Sequence, residues 1–165
     1  MSNSIRLRLQ KLLLVVGVFF VAAVLNSCAE HKKLDSAATE GMNRETLNTY
    51  RQYMVHGETI YKRICQNCHM PDGNGLGGVI PPLRQSDYLV NNLNSSICGI
   101  KYGMEGEIVV NGTTYNQPMI MPEQLTPIEI AEVMTYITNT WGNSQGLITV
   151  EKVNSALNGC EKPAQ

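Results

Sequence analysis

The strongest chemical signal in this 165-residue chain is the run Cys65-Gln66-Asn67-Cys68-His69, two thiols followed directly by an imidazole. The spacing suits covalent haem attachment. Each thiol can add to a haem vinyl group, and the adjacent imidazole falls where it can bind iron. Other uses of a C-x-x-C fit less well. A thioredoxin-type redox pair needs a βαβ setting, and no such pattern surrounds residues 65–69. A zinc site needs further Cys or His at ligand spacing, whereas Cys98, Cys160, His31 and His56 form no second paired motif. The sequence shows no nucleophile triad, and the glycines at 73–78 belong to the loop behind His69 rather than to a phosphate-binding turn.

The elements that must hold this pentapeptide read as mostly helical. From Glu45 to Ile64 the apolar positions Leu47, Tyr50, Met54, Ile60, Tyr61 and Ile64 predict a helix, with Gly57 as its weak point. Cys65 to Leu83 is dense in Gly and Pro and predicts an irregular loop. Ser86 is placed to cap a helix through Asp87, Tyr88, Leu89, Leu93 and Ile97. Ile108-Val109-Val110, Asn111-Gly112, Thr113-Thr114-Tyr115 predicts a hairpin with a two-residue turn. Thr126-Pro127-Ile128-Glu129 is a capping box with Pro at the first helical position. The helix it opens carries Ile130, Val133, Met134, Ile137 and Trp141 on one face and is predicted to end near Gly142. A last short helix is predicted from Thr149 to Leu157. The fold class expected is mostly α with one small β-hairpin.

The beginning of the chain has a different character. Arg6, Arg8 and Lys11 precede an apolar run from Leu12 to Leu25, and Asn26-Ser27-Cys28 comes next. A basic start and fourteen apolar residues fit a secretory signal over 1–27 and are short for a membrane span; an uncleaved anchor is the alternative. Leu25-Asn26-Ser27-Cys28 also resembles the lipobox of bacterial lipoprotein precursors, in which Cys28 becomes a lipidated N-terminus that tethers the protein to a membrane. A Cys close to an ordinary cleavage site is the other reading. Residues 28–45, small and charged without apolar periodicity, read as a flexible linker containing a solvated His31, and 46–165 as the globular domain.

Charge and cysteine number add two expectations. The full chain carries 13 basic and 14 acidic residues, so no basic face for nucleic acid is expected. Loss of 1–27 removes three basic residues and no acidic one, leaving ten against fourteen and a formal −4. An acidic protein favours partners with basic docking faces. With Cys28 assigned to lipid and Cys65 and Cys68 to haem, Cys98 and Cys160 are left, and one disulfide accounts for both in an exported protein. The alternative is two unpaired thiols.

The sequence resembles the class I cytochromes c over nearly all of residues 46–158. Gly57-Glu58-Thr59-Ile60-Tyr61 before Cys65, His69-Met70-Pro71-Asp72-Gly73-Asn74-Gly75, Pro81-Pro82-Leu83, and Leu125-Thr126 leading into Glu129–Ile137 match that family in order. The resemblance implies about four to five helices around one covalently attached haem c. It implies that Gly57 and Tyr61 pack against Val133 and Tyr136. It also makes the Pro81 carbonyl the acceptor of the Nδ1–H of His69, which would orient the ring and raise its basicity. On the Pro pattern alone a merely rigid turn is the rival reading.

The family's sixth iron ligand is a Met thioether, which raises the reduction potential. Met70 is too near His69, Met134 lies on an apolar helix face, and Met104 reads as packing. The family's distance from the ligand to the Leu before the capped helix selects Met119; its Met-Pro pair selects Met121 instead. His56, ahead of the haem motif, is a remote candidate. The function implied is that of a membrane-tethered electron carrier in a bacterial respiratory chain, anchored by lipid on the periplasmic side and exchanging electrons with redox partner proteins. No catalytic residue is expected. The alternatives are a haem-dependent redox enzyme, which needs a labile sixth position, and a cytochrome subunit of a larger respiratory complex.

Overall fold

The computed structural model describes residues 37–161. The segment expected to be a signal over 1–27, Cys28 and His31 lie outside the described residues. Helix α1 (Arg44–Ile60) starts at Asn43, whose side chain accepts the Thr46 N–H at 2.9 Å. It runs without a break into a π-turn (Tyr61–Cys65) and then α2 (Gln66–His69). The wider π-turn rotates α2 relative to α1. The segment expected to be linker contributes to packing before α1 begins: Ala38 is buried and its carbonyl faces Gly146.

Ser86 caps α3 (Asp87–Asn91), its hydroxyl accepting the Leu89 N–H at 3.1 Å. The single helix predicted through Ile97 is two helices. The chain breaks at Asn92 (φ −119°, ψ 46°) and restarts as α4 (Leu93–Tyr102). Two adjacent Asn side chains, which compete for local backbone groups, stand at the break. The hairpin pairs β1 (Ile108–Val110) with β2 (Thr113–Tyr115), Ile108 opposite Tyr115 and Val110 opposite Thr113. Asn111 and Gly112 both take positive φ, as this tight turn requires. Asn111 locks the turn to α3: its N–H donates to Asp87 Oδ1 at 2.7 Å, and its Oδ1 accepts the Asp87 N–H at 3.1 Å.

Helix α5 (Pro127–Ile137) opens on the full capping box, Thr126 and Glu129 each bonding the other's backbone N–H. It stops at Ile137, four residues before Trp141, which therefore does not lie on its face. The cause is a run of polar side chains that take main-chain groups for themselves. Thr138 Oγ1 donates to the Met134 carbonyl at 2.7 Å, and Asn139 bonds Thr135 and Gly146. Trp141 and Gly142 come next with φ 55° and 94°. Helix α6 (Val150–Leu157), capped by Thr149, packs on α4 and α5 with Val153 and Ala156 buried.

The core is centred on the crossing of α1 and α5. A Cβ on Gly57 would overlap the Glu132 carbonyl and approach Tyr136 Cβ at 2.7 Å, so only glycine lets these helices lie this close. The expected partner Val133 is instead completely buried beside this contact, while Tyr136 meets Tyr61 with ring centroids 5.5 Å apart. Trp141 completes the aromatic cluster at 5.0 Å from Tyr61 and 5.6 Å from Tyr136.

Candidate haem site

A cavity of about 550 Å³, within the usual range of cofactor sites, opens beside α2. Cys65, Cys68 and His69 form one side. Ile80-Pro81-Pro82-Leu83, Leu89 and Ile100, the hairpin residues Ile108, Val110 and Tyr115, and the segment Gln117–Met121 complete a largely apolar wall. Its positions come from elements that local sequence specifies well, because the cap at Ser86 and the turn at Asn111-Gly112 set where α3 and the hairpin stand.

The pentapeptide occupies the end of the π-turn and the single turn of α2. Cys65 is half-buried and Cys68 exposed, both as free thiols. Burial pushes the Cys65 thiol up to about 11, with Cys68 adding to the rise. His69 is buried, and burial holds its imidazole below the ordinary range against the opposing effect of the Pro81 carbonyl. Its Nδ1 lies 3.1 Å from that carbonyl. A neutral ring donating from Nδ1 keeps the lone pair of Nε2 for a metal. Met70, next in sequence, has φ 63°, and its carbonyl accepts the Tyr61 hydroxyl, so the chain turns away at once into the glycine-rich loop.

That loop is held by close backbone approaches. Gly73 carries Trp141 over its Cα and accepts from the N–H groups of Leu83 (2.8 Å) and Arg84 (3.0 Å). A Cβ on Gly75 would run into the Ile80 and Pro81 carbonyls. Buried Asn143 donates from Nδ2 to the carbonyls of Leu83 and Ile137, each at 2.8 Å, tying the segment after Pro81 to the end of α5. Nothing in the sequence marked Asn143, whose partner Leu83 is 60 positions away.

Three methionines line the cavity: Met104, Met119 and Met121. Met119 and Met121 flank Ile120, which is 82% exposed, so the two thioether chains share the inward side of an extended stretch. Met104, read from sequence as packing, lines the cavity too and pairs with Met119 through two main-chain hydrogen bonds. Met134 is fully buried in the core. His56 does not reach the cavity; its Nδ1 lies 2.8 Å from Glu132 Oε1 across the α1–α5 crossing. Cys98 on α4 and Cys160 after α6 form a disulfide with sulfurs 2.01 Å apart. Among the described residues, no group of three His, Cys, Asp or Glu side chains could hold a separate metal ion.

This donor set fits a covalently attached haem: two free thiols one helical turn apart, a neutral imidazole with its outer nitrogen fixed, thioethers on the wall, and an apolar enclosure. Known proteins agree with it. The cytochrome c family model matches residues 54–141. A cytochrome c-552 of Thermus thermophilus is 34% identical over 93 residues, covering 54% of this chain and 70% of the relative. The fructose dehydrogenase cytochrome subunit of Gluconobacter japonicus is 25% identical over 134 residues, 75% of this chain but 26% of that subunit. The cytochrome c subunit of a quinone-dependent alcohol dehydrogenase from Komagataeibacter europaeus is 27% identical over 103 residues, 60% of this chain and 22% of the subunit.

Proposed function

We propose a role for this chain on one premise: it belongs to the cytochrome c family, whose proteins carry covalently attached haem c. The role is that of a single-haem electron carrier. Cys65 and Cys68 would supply the two thioether sulfurs, and His69 and Met119 would hold the iron. The bound group contributes one-electron chemistry between ferric and ferrous iron. The chain's own residues hold it still, keep water away, and set its potential. Pro81 accepts from His69 and so keeps the ring in one orientation with its outer nitrogen basic. The apolar wall from Leu83, Leu89, Ile100 and Val110 lowers the local dielectric, which disfavours the more highly charged ferric state.

The observation that carries this reading is the meeting of Cys65, Cys68, His69 and Met119 around one apolar cavity. Met119 is chosen over Met121 because both of its main-chain hydrogen-bonding groups are fixed by Met104, which gives its side chain a constant origin. With His69 and Met119 both holding the iron, no position on it would be left for a substrate, and the chemistry the group would supply is one-electron transfer. Leu76, Val79 and Ile120 line the cavity and are 54, 51 and 82% exposed, forming an apolar rim for small, transient docking. The test is an optical redox titration of the holoprotein alongside Met119→Ala and Met121→Ala. Met119→Ala is expected to lose the ferric charge-transfer band of methionine–sulfur ligation and to lower the potential. Loss of that band only in Met121→Ala refutes the assignment.

A second reading, a cytochrome subunit within a larger dehydrogenase, is favoured by the two dehydrogenase relatives. Co-purification of a larger partner after gentle detergent extraction supports it, and isolation as a free monomer opposes it. The membrane tether rests on Leu25-Asn26-Ser27-Cys28. Cys28→Ser is expected to move the protein from the detergent phase to the aqueous phase.

A further inference from the structure

We infer that Gly103 and Met104, at the end of α4, are positioning residues that hold Met119 in register as an iron ligand, an inference that rests on the assignment of Met119. Met104 donates its N–H to the Met119 carbonyl at 2.9 Å and accepts the Met119 N–H at 2.8 Å. This pair is an isolated antiparallel bridge outside the hairpin. Gly103 makes the approach possible. It sits at φ 86°, and a Cβ there would lie 2.8 Å from the Met119 carbonyl oxygen. The Met104 side chain is seated in turn, because a Cβ on Gly99 would lie 2.7 Å from its Cε. One residue before this seat on α4 is Cys98, bonded to Cys160. Lys101, also on α4, donates from Nζ to the Leu125 carbonyl at 2.7 Å. The last turns of α4 therefore grip the 116–125 loop at two places, Met119 and Leu125.

Within the loop itself the side chains of Met119 and Met121 pack against the core while Ile120 between them is 82% exposed, so the main-chain hold on Met119 comes from Met104. The origin of the Met119 side chain is inherited from α4. A displacement of α4 by a few tenths of an ångström is transmitted through two short hydrogen bonds to the thioether, and the strength of the sulfur–iron bond changes with it.

The test uses two glycines that share a backbone conformation and differ in surroundings. Gly103 and Gly112 have φ 86° and 77°, so alanine strains the main chain at either one; only at Gly103 does the new methyl meet Met119, while Gly112 has open space and does not line the cavity. In the holoprotein, Gly103→Ala is expected to weaken the methionine–sulfur band. It should also raise the affinity of ferric iron for added imidazole by about tenfold, the usual scale for loss of an outer support of a metal ligand. Gly112→Ala is expected to leave both near wild type. Equal changes in the two variants, or no change in Gly103→Ala, overturn the inference. If Gly103→Ala does not fold, Lys101→Met removes the grip at Leu125 and is expected to raise imidazole affinity in the same direction; an unchanged affinity overturns the inference. Failure of the Met119 assignment itself has a separate signature, since Met119→Ala then keeps the methionine band.

Discussion

The Nδ1 of His69 and the carbonyl oxygen of Pro81 stand 3.1 Å apart at the two ends of a twelve-residue loop that folds back across Gly75. Main-chain atoms of Ile80 and Pro81 occupy the space where a Cβ of residue 75 would go. Gly75→Ala must therefore push the Pro81 carbonyl away from the ring. With His69 as the proposed iron ligand, a weaker bond would make it a poorer donor to ferric iron, so the reduction potential is expected to rise, by about 30–60 mV for a three- to tenfold change in the redox equilibrium. Gly77 has φ 53° and open surroundings, so Gly77→Ala is expected to leave the potential unchanged. Potentiometry on the two variants checks this.

Gly57→Ala places a methyl group against the Glu132 carbonyl and Tyr136 Cβ, and neither atom can rotate aside. Helices α1 and α5 have to separate, loosening the contact between Tyr61 and Tyr136. A loss of about 2–3 kcal/mol is expected, on the scale of core overpacking. It is read as a lower denaturation midpoint at an unchanged slope.

The Cys98–Cys160 link spans 62 residues. Closing a loop of that length restricts the unfolded chain by roughly 4 kcal/mol in the chain-entropy account. Replacing both residues by Ala is expected to lower stability by about that amount while keeping the haem spectrum. Urea unfolding measures the loss. Alkylation of both thiols in the folded wild-type protein without reductant would contradict the link.

Glu129 titrates below its ordinary value near 4.5, first because its carboxylate accepts the Thr126 N–H, then because it accepts the Thr126 hydroxyl. Arg63 and Lys101 contribute less. A carboxyl group with a depressed folded-state pKa contributes stability that is present in full above its unfolded value and is lost as pH falls through the folded value. The stability gap between wild type and Glu129→Gln is thus expected to be constant above about pH 5 and to close at lower pH. Thr126→Ala is expected to cost about 1 kcal/mol at neutral pH. Thermal melts across pH 3–7 (a range bracketing about the usual Glu pKa) check both.

What could be read in the sequence was what neighbouring residues decide among themselves. Thr126 with Glu129 and Ser86 satisfy backbone groups within a few positions, Asn111 and Gly112 take the positive φ of a tight turn, and all three signals correspond to the elements formed. The ends of elements were harder. Apolar periodicity carries α5 on to Trp141, yet Thr138 and Asn139 divert the main chain, a competition that periodicity does not register. Contacts across long separations were legible only where a leftover cysteine pair or the family resemblance marked them, as for Cys98 with Cys160 and Tyr61 with Tyr136. Nothing local indicates that Met104 bridges Met119, that Asn143 supports Leu83, or that Gly57 faces the Glu132 carbonyl rather than Val133. The cavity could be anticipated from its ligands, and one support, the Pro81 carbonyl, could be anticipated from the family resemblance, whereas Met104 and Asn143 could not.

The pairing of Cys98 with Cys160 also solves a sorting problem. The folded chain commits Cys98 and Cys160 to each other across 62 positions and leaves Cys65 and Cys68 free, although these two are far nearer neighbours in sequence. Disulfide exchange proceeds through thiolate, and a thiol with its pKa pushed to about 11 is ionised to only about one part in 10⁴ at neutral pH. Folding thus separates the cysteines: the distant pair is consumed in a bond, and burial leaves Cys65 almost entirely as the thiol and slow to attack that bond.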